Sequence, residues 1–177
     1  MILLSVPLMV LNLIIVAGVA MVVSPGPVSQ LVNNFSSLIT GSFSVEIRLL
    51  DLLPGIFGLA MLMIVHELLH LAFIPGFLRS DKTYLGIMYA GVYVVTGEVM
   101  TLRRYIVISI APFIVLSVVL PVVLGVAGML SAGLIILAML NALGSSVDLM
   151  GLILAIVQVP RGSKIVCHGM DTCWKAR

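Results

Sequence analysis

His66, Glu67 and His70 interrupt an apolar run that holds no other charged side chain between Asp51 and Arg79. Residues four apart share a helix face, so His66 and His70 can offer two imidazole nitrogens to one metal ion. Glu67 stands beside that pair, where it reaches a water polarised by the metal rather than the metal itself. This is the arrangement of a zinc centre with a general base. Ionisable groups at membrane depth are expensive and by default functional. At average composition this spacing arises by chance in a chain of this length in roughly one case in a few hundred. A buried carboxylate costs about 2.5–3.5 kcal/mol at mid-membrane. A bound zinc contributes about 10–16 kcal/mol in peptide systems, enough to offset two such groups.

A catalytic zinc needs a third protein ligand and an open fourth position. Asp148 is the only ionisable residue in the apolar stretch 131–159 and is the candidate. Depth supports it: His70 lies eight residues before Leu78 and Asp148 nine before Val157, the expected ends of their helices. At about 1.5 Å per residue each ligand is about 12–14 Å from its end, so two parallel helices would bring all three to one level. Asn141, Ser145 and Asp148 share a helix side with Gly144 close by. Asn141 is a catalytic candidate as hydrogen-bond donor to a substrate carbonyl or oxyanion. The alternative for it is an interhelical polar contact.

These residues must be positioned by elements that live in lipid. The chain has 177 residues, of which 62% are hydrophobic and 9% charged, against about 25% charged in soluble domains. It reads as an all-α membrane protein with four transmembrane helices, at residues 2–23, 52–77, 105–125 and 131–159. Ser24-Pro25-Gly26-Pro27 ends the first, and the stretch to residue 49 reads as an external loop with room for a short surface helix. Pro54 suits the start of the second span and Pro75-Gly76 its stop. Pro112 and Pro121 are expected kinks in the third. Gly125, Gly128, Ala132 and Gly133 would allow close packing where the third span meets the fourth. Pro160-Arg161-Gly162 closes the fourth. Residues 83–97 suggest a short β-hairpin between the second and third helices, turning near Ala90-Gly91. The plainer reading of that segment is an interfacial linker anchored by Tyr84, Tyr89 and Tyr93.

Arg79, Lys82, Arg103 and Arg104 fall between the second and third spans, and Arg161, Lys164, Lys175 and Arg177 follow the fourth. Only Arg48 lies on the other side, so the positive-inside rule puts both termini in the cytosol. Cys167 and Cys173 in the tail then read as reduced thiols. Their spacing with His168 is not a standard zinc pattern. Glu98 reads as an interfacial salt-bridge or helix-start residue, with a substrate-facing role as the alternative. The nine basic residues form no long patch, so nucleic-acid binding has no support.

Four stretches together carry a resemblance: His66-Glu67-Leu68-Leu69-His70, Ala111-Pro112-Phe113-Ile114, Asn141 to Asp148 (NALGSSVD), and residues 159–174. Over residues 52–174 the chain resembles a zincin peptidase membrane family catalogued as a domain of unknown function. That family is similar in logic to the site-2 intramembrane zinc metalloproteases. The resemblance implies zinc ligands at His66, His70 and Asp148 and a general base at Glu67. The chain departs from the site-2 pattern around the aspartate, where an Asn-Pro element and a Leu-Asp-Gly triplet are expected. Here Val147-Asp148-Leu149 stands, with Asn141 seven residues earlier and no proline between.

The expected organisation is a single integral membrane domain, 1–177. It comprises an N-terminal span and external loop (1–50), a zincin-like core (51–160) and a cytosolic tail (161–177). The expected activity is that of a membrane-embedded zinc metalloprotease cutting in or near a transmembrane segment, with hairpin 83–97 holding the extended segment by strand addition. Its partners would be a membrane protein or peptide substrate and the lipid bilayer; the oligomeric state is left open. The alternative is a non-proteolytic membrane metal protein, either a zinc-stabilised scaffold or a transport component. A transporter usually shows internal repeats and more polar pathway residues than this chain has.

Overall fold

A backbone without access to water must satisfy its own polar groups, and the helix does so within one segment. The computed structural model describes residues 2–41, 49–88, 91–160, 162–168 and 171–175. Within them, four helical stretches are long and apolar enough to cross a membrane. The first is α1 (Val6–Val23), led in by a 3₁₀ turn at Ile2–Ser5. The second is Leu52–Phe73 of α3 (Leu49–Phe73). The third, Leu102–Val126, joins α4 (Leu102–Pro112), a π-helical segment (Phe113–Val119) and α5 (Leu120–Val126). The fourth is α6 (Ala132–Gln158), capped by Ser131, whose hydroxyl accepts from the Leu134 N–H.

Several expectations need correction. Residues 25–39 are not mainly loop but one 15-residue helix, α2 (Pro25–Ile39). Its apolar residues recur at 28, 31, 32 and 35, a helical pattern, and Val28 and Leu31 pack beside Ala20, Leu130 and Ile135. Its serines do not break it, because Ser29, Ser36 and Ser37 donate back to carbonyls three or four residues earlier. Arg48 lies outside the described residues. Helix α3 starts at Leu49, so Pro54 sits inside it and removes one helical bond instead of opening the helix. The helix stops at Phe73, short of Pro75, and Gly76 follows at φ +66°, a left-handed turn suited to glycine.

The hairpin forms as expected. Strands β1 (Thr83–Met88) and β2 (Gly91–Thr96) pair antiparallel, from Thr83 opposite Thr96 to Met88 opposite Gly91. The turn itself, at Tyr89 and Ala90, lies outside the described residues. Strand β2 runs along α3: a side chain on Gly91 would collide with Met63, and Val94 contacts Glu67. The tail is more ordered than expected. Strands β4 (Lys164–His168) and β5 (Asp171–Lys175) pair antiparallel, and β4 also pairs with β3 (Met100–Thr101). Ile165 is fully buried there, in a cluster with Ile74, Met100, Ile108, Ala155 and Val159. Among the described residues the fold is therefore helical, with two small antiparallel sheets at the end carrying Arg79, Lys82 and Lys164.

Helix α6 is the hub, touched by α1, α2, α3, α4 and the π-helical segment. Close approach is built in by small residues. A Cβ on Gly58 would lie 3.0 Å from Leu137 Cδ1, and one on Gly125 would collide with Val23. A polar seam also ties α1 to α6: Asn12 Nδ2 donates to Ser146 Oγ (2.9 Å) and to the Ala142 carbonyl (3.2 Å).

Candidate metal centre

The contacts between α3 and α6 ascend together: Gly58 faces Leu137, His66 faces Asn141, and His70 faces Asp148. The two helices therefore run parallel, and the three expected ligands meet. His66 Nε2 lies 3.2 Å from His70 Nε2. Asp148 Oδ2 lies 3.3 Å from the first and 3.5 Å from the second.

The far side of each ring decides what these atoms can be. His70 Nδ1 lies 2.9 Å from the Ile108 carbonyl oxygen. A carbonyl only accepts, so Nδ1 carries the proton and a neutral ring presents a bare lone pair at Nε2. His66 Nδ1 lies 2.8 Å from Asn141 Oδ1. The orientation of that amide is set by its other contacts: Asn141 Nδ2 donates to the Pro112 carbonyl (3.0 Å) and to Ser117 Oγ (2.8 Å). Ser117 in turn donates to the Ala138 carbonyl at 3.0 Å. Asn141 thus turns an acceptor toward His66, and again Nε2 is bare.

With both rings neutral, two imidazole lone pairs and a carboxylate oxygen converge with no hydrogen among them to share. Such a cluster calls for a cation. Four ligands at about 2.0–2.1 Å around a tetrahedral zinc stand about 3.3–3.4 Å apart, and the three separations here bracket that value. The donor set, two nitrogens and one carboxylate oxygen, also suits zinc. Asp148 keeps 30% of its side chain exposed against 15% for His66 and 13% for His70, so the centre is most open on the Asp148 side.

Glu67 stays out of the ligand cluster. Its Oε2 accepts the Val94 backbone N–H at 3.1 Å, linking the carboxylate to strand β2. Glu98 is elsewhere, at the hairpin base, where Oε1 accepts from Ser80 Oγ at 2.6 Å. Arg104 donates to the Phe73 carbonyl at 2.6 Å and so closes the end of α3. The sequence reading missed Asn12, the Ile108 carbonyl and the Val94 N–H as supports. Asn12 could have been found as the one polar side chain in α1; the two backbone groups carry no sequence signal.

Residues 59–164 match the family described as "Putative zincin peptidase". The chain belongs to that family. The match spans more than half of the chain and includes His66, Glu67, His70, Pro112, Asn141 and Asp148. No curated protein and no solved structure matches the chain. Membership in the zincin peptidase family implies peptidase chemistry and zinc, in accord with the donor set described above. The zincin peptidase match begins within α3, so α1 and α2 lie outside it, although Asn12 of α1 bonds to the helix that carries Asp148.

Proposed function

We propose that this protein is a membrane-embedded zinc metallopeptidase that cuts a peptide bond in or near a transmembrane segment of a membrane protein or peptide. One observation carries the reading. Two histidine Nε2 atoms, each on a ring whose Nδ1 faces a hydrogen-bond acceptor, meet a carboxylate oxygen beside a second, non-ligating carboxylate. Four apolar helices support the membrane setting. The distribution of Lys and Arg supports cytosolic termini and access from that face.

Bound by His66, His70 and Asp148, zinc supplies Lewis acidity toward water and a peptide carbonyl. The residues of the chain do the rest. Glu67 takes a proton from the attacking water as its oxygen bonds to the carbonyl carbon, and then delivers that proton to the amine nitrogen as the C–N bond breaks. The Val94 N–H holds one Glu67 oxygen and leaves the other for this transfer. Asn141 and the Ile108 carbonyl keep both rings in register, so Asn141 acts through His66. A helical peptide bond is shielded by its own turn, so the substrate must be extended at the cut. Val94 N–H points away from β1, and by alternation so do the backbone groups of Val92 and Thr96. The backbone groups of Val92 and Thr96 on this outer edge of β2, flanking the Val94 N–H that Glu67 occupies, are those onto which the extended substrate would add.

The test is Glu67→Gln in purified protein, reconstituted with zinc in proteoliposomes and assayed on quenched fluorescent peptides containing a transmembrane segment. The variant keeps stoichiometric zinc and loses about 10²–10⁴ in turnover, the usual worth of a general acid–base group. A zinc scaffold or transport component would lose little on this substitution. Wild-type protein purified without zinc, or Glu67→Gln with full turnover, would overturn the proposal.

A further inference from the structure

We propose that Pro112 is a positioning residue for the metal: by withholding an N–H it leaves the Ile108 carbonyl free to fix the tautomer of His70. The inference rests on the zinc reading above and concerns a residue two shells from the ion.

In an α-helix the carbonyl of residue i accepts the N–H of residue i+4. For Ile108 that donor is residue 112, which is proline and has none. The next N–H along the chain, that of Phe113, goes to the Ile110 carbonyl instead. Ile108 is only 9% exposed, so bulk water is a poor substitute. Its carbonyl therefore reaches across to α3 and takes the His70 Nδ1 proton at 2.9 Å. The proline ring also crowds the carbonyl four residues back and tilts it off the helix axis. The π-helical segment that begins at Phe113 absorbs the resulting change in helix pitch. A partner at the second nitrogen of a metal-binding histidine sets its tautomer and orientation, and losing it typically costs 10–100-fold in metal affinity.

Pro121 is the internal control. It lies in the same membrane-length column, but it follows the π-helical segment, where the Leu120 N–H reaches five residues back to the Val115 carbonyl. The carbonyl it leaves therefore belongs to Leu116, for which no bond to His66, His70 or Asp148 is found among the described residues.

The experiment compares zinc affinity by chelator competition in wild type, Pro112→Ala and Pro121→Ala. A fourth protein carries pipecolic acid, a second imino acid with no N–H, at position 112. Pro112→Ala supplies a competing N–H and lowers zinc affinity about tenfold or more; pipecolic acid and Pro121→Ala retain wild-type affinity. Long-range ¹⁵N–¹H spectra of zinc-free, ¹⁵N-histidine-labelled protein show His70 protonated at Nδ1 in wild type and as mixed tautomers in Pro112→Ala. Equal affinity with an unchanged His70 spectrum would overturn the inference. So would equal losses from Pro121→Ala or from the imino acid, since the effect would then be one of general helix shape. If Pro112→Ala does not fold, the wild-type spectrum decides, because an Nε2-protonated His70 is incompatible with the role. Wild-type protein that binds no zinc would bring down the metal reading itself. Zinc bound equally by wild type and Pro112→Ala would bring down this inference alone.

Discussion

Replacing Asn141 by alanine separates two roles that this side chain could play. In the structure Asn141 is 3% exposed and its Oδ1 is the acceptor for His66 Nδ1–H at 2.8 Å, while both amide hydrogens point to Pro112 and Ser117. Alanine leaves the His66 N–H without its partner in a buried place, at about 1–3 kcal/mol. It also releases the ring to rotate or to change tautomer. Loss of such a partner behind a metal-binding histidine costs about 10–100-fold in metal affinity, equivalent to about 1.4–2.7 kcal/mol. Chelator competition on detergent-solubilised protein measures this directly, and peptide cleavage at saturating zinc measures what remains. The expected result is zinc affinity lowered by one to two decades, with turnover recovering to within a few-fold once zinc is saturating. An oxyanion donor would behave in the opposite way, with unchanged zinc affinity and turnover down by about 10²–10³. That second pattern would refute the positioning role and return Asn141 to the substrate side.

Asp148→Ala removes the only anionic ligand of the cluster; with about 10–16 kcal/mol shared among four ligands, zinc affinity falls by about two to three orders of magnitude. Metal analysis after dialysis against a chelator checks this, and unchanged zinc content would remove Asp148 from the centre. Gly91→Ala forces a side chain into a φ of +136° and against Met63, which shifts β2 and its Val94 N–H away from Glu67. Zinc is retained and cleavage falls, whereas full cleavage by this variant would rule out strand addition at β2. Asn12→Leu breaks the α1–α6 hydrogen bonds while Ser146 keeps its own bond to Ala142 at 2.8 Å. Interhelical polar contacts of this kind contribute about 0.6–2 kcal/mol, so unfolding in detergent shifts modestly and zinc affinity does not change.

The features legible in the sequence are the local ones. The spacing of His66 and His70 puts two imidazoles on one face of any helix. The long apolar runs have few alternatives to helices, and alternation with glycines marks the hairpin at 83–97. Asp148 was also within reach, because a single carboxylate in an apolar helix needs a partner and its depth could be counted. Residues 25–39 were harder. Three serines and two asparagines in residues 29–37 suggest a loop only if the capacity of the serines to bond back to their own helix is overlooked. The tail sheet was invisible, since β4 is held by a two-residue strand, β3, about sixty positions earlier.

By itself, then, the sequence determined the chemistry on offer: two imidazoles and a carboxylate on α3, and one carboxylate on α6. Their types and periodic spacing follow from bonds between near neighbours. Only the tertiary structure decided that the ligands converge within hydrogen-bond distance, and that each histidine is held by an acceptor behind it. Those acceptors are Asn141 Oδ1 and the Ile108 carbonyl, and the Glu67 carboxylate is held by the N–H of Val94. Backbone groups are the same at every position. Which of them meets a ring or a carboxylate depends on how helices and strands distant in the chain pack, and no residue type announces it.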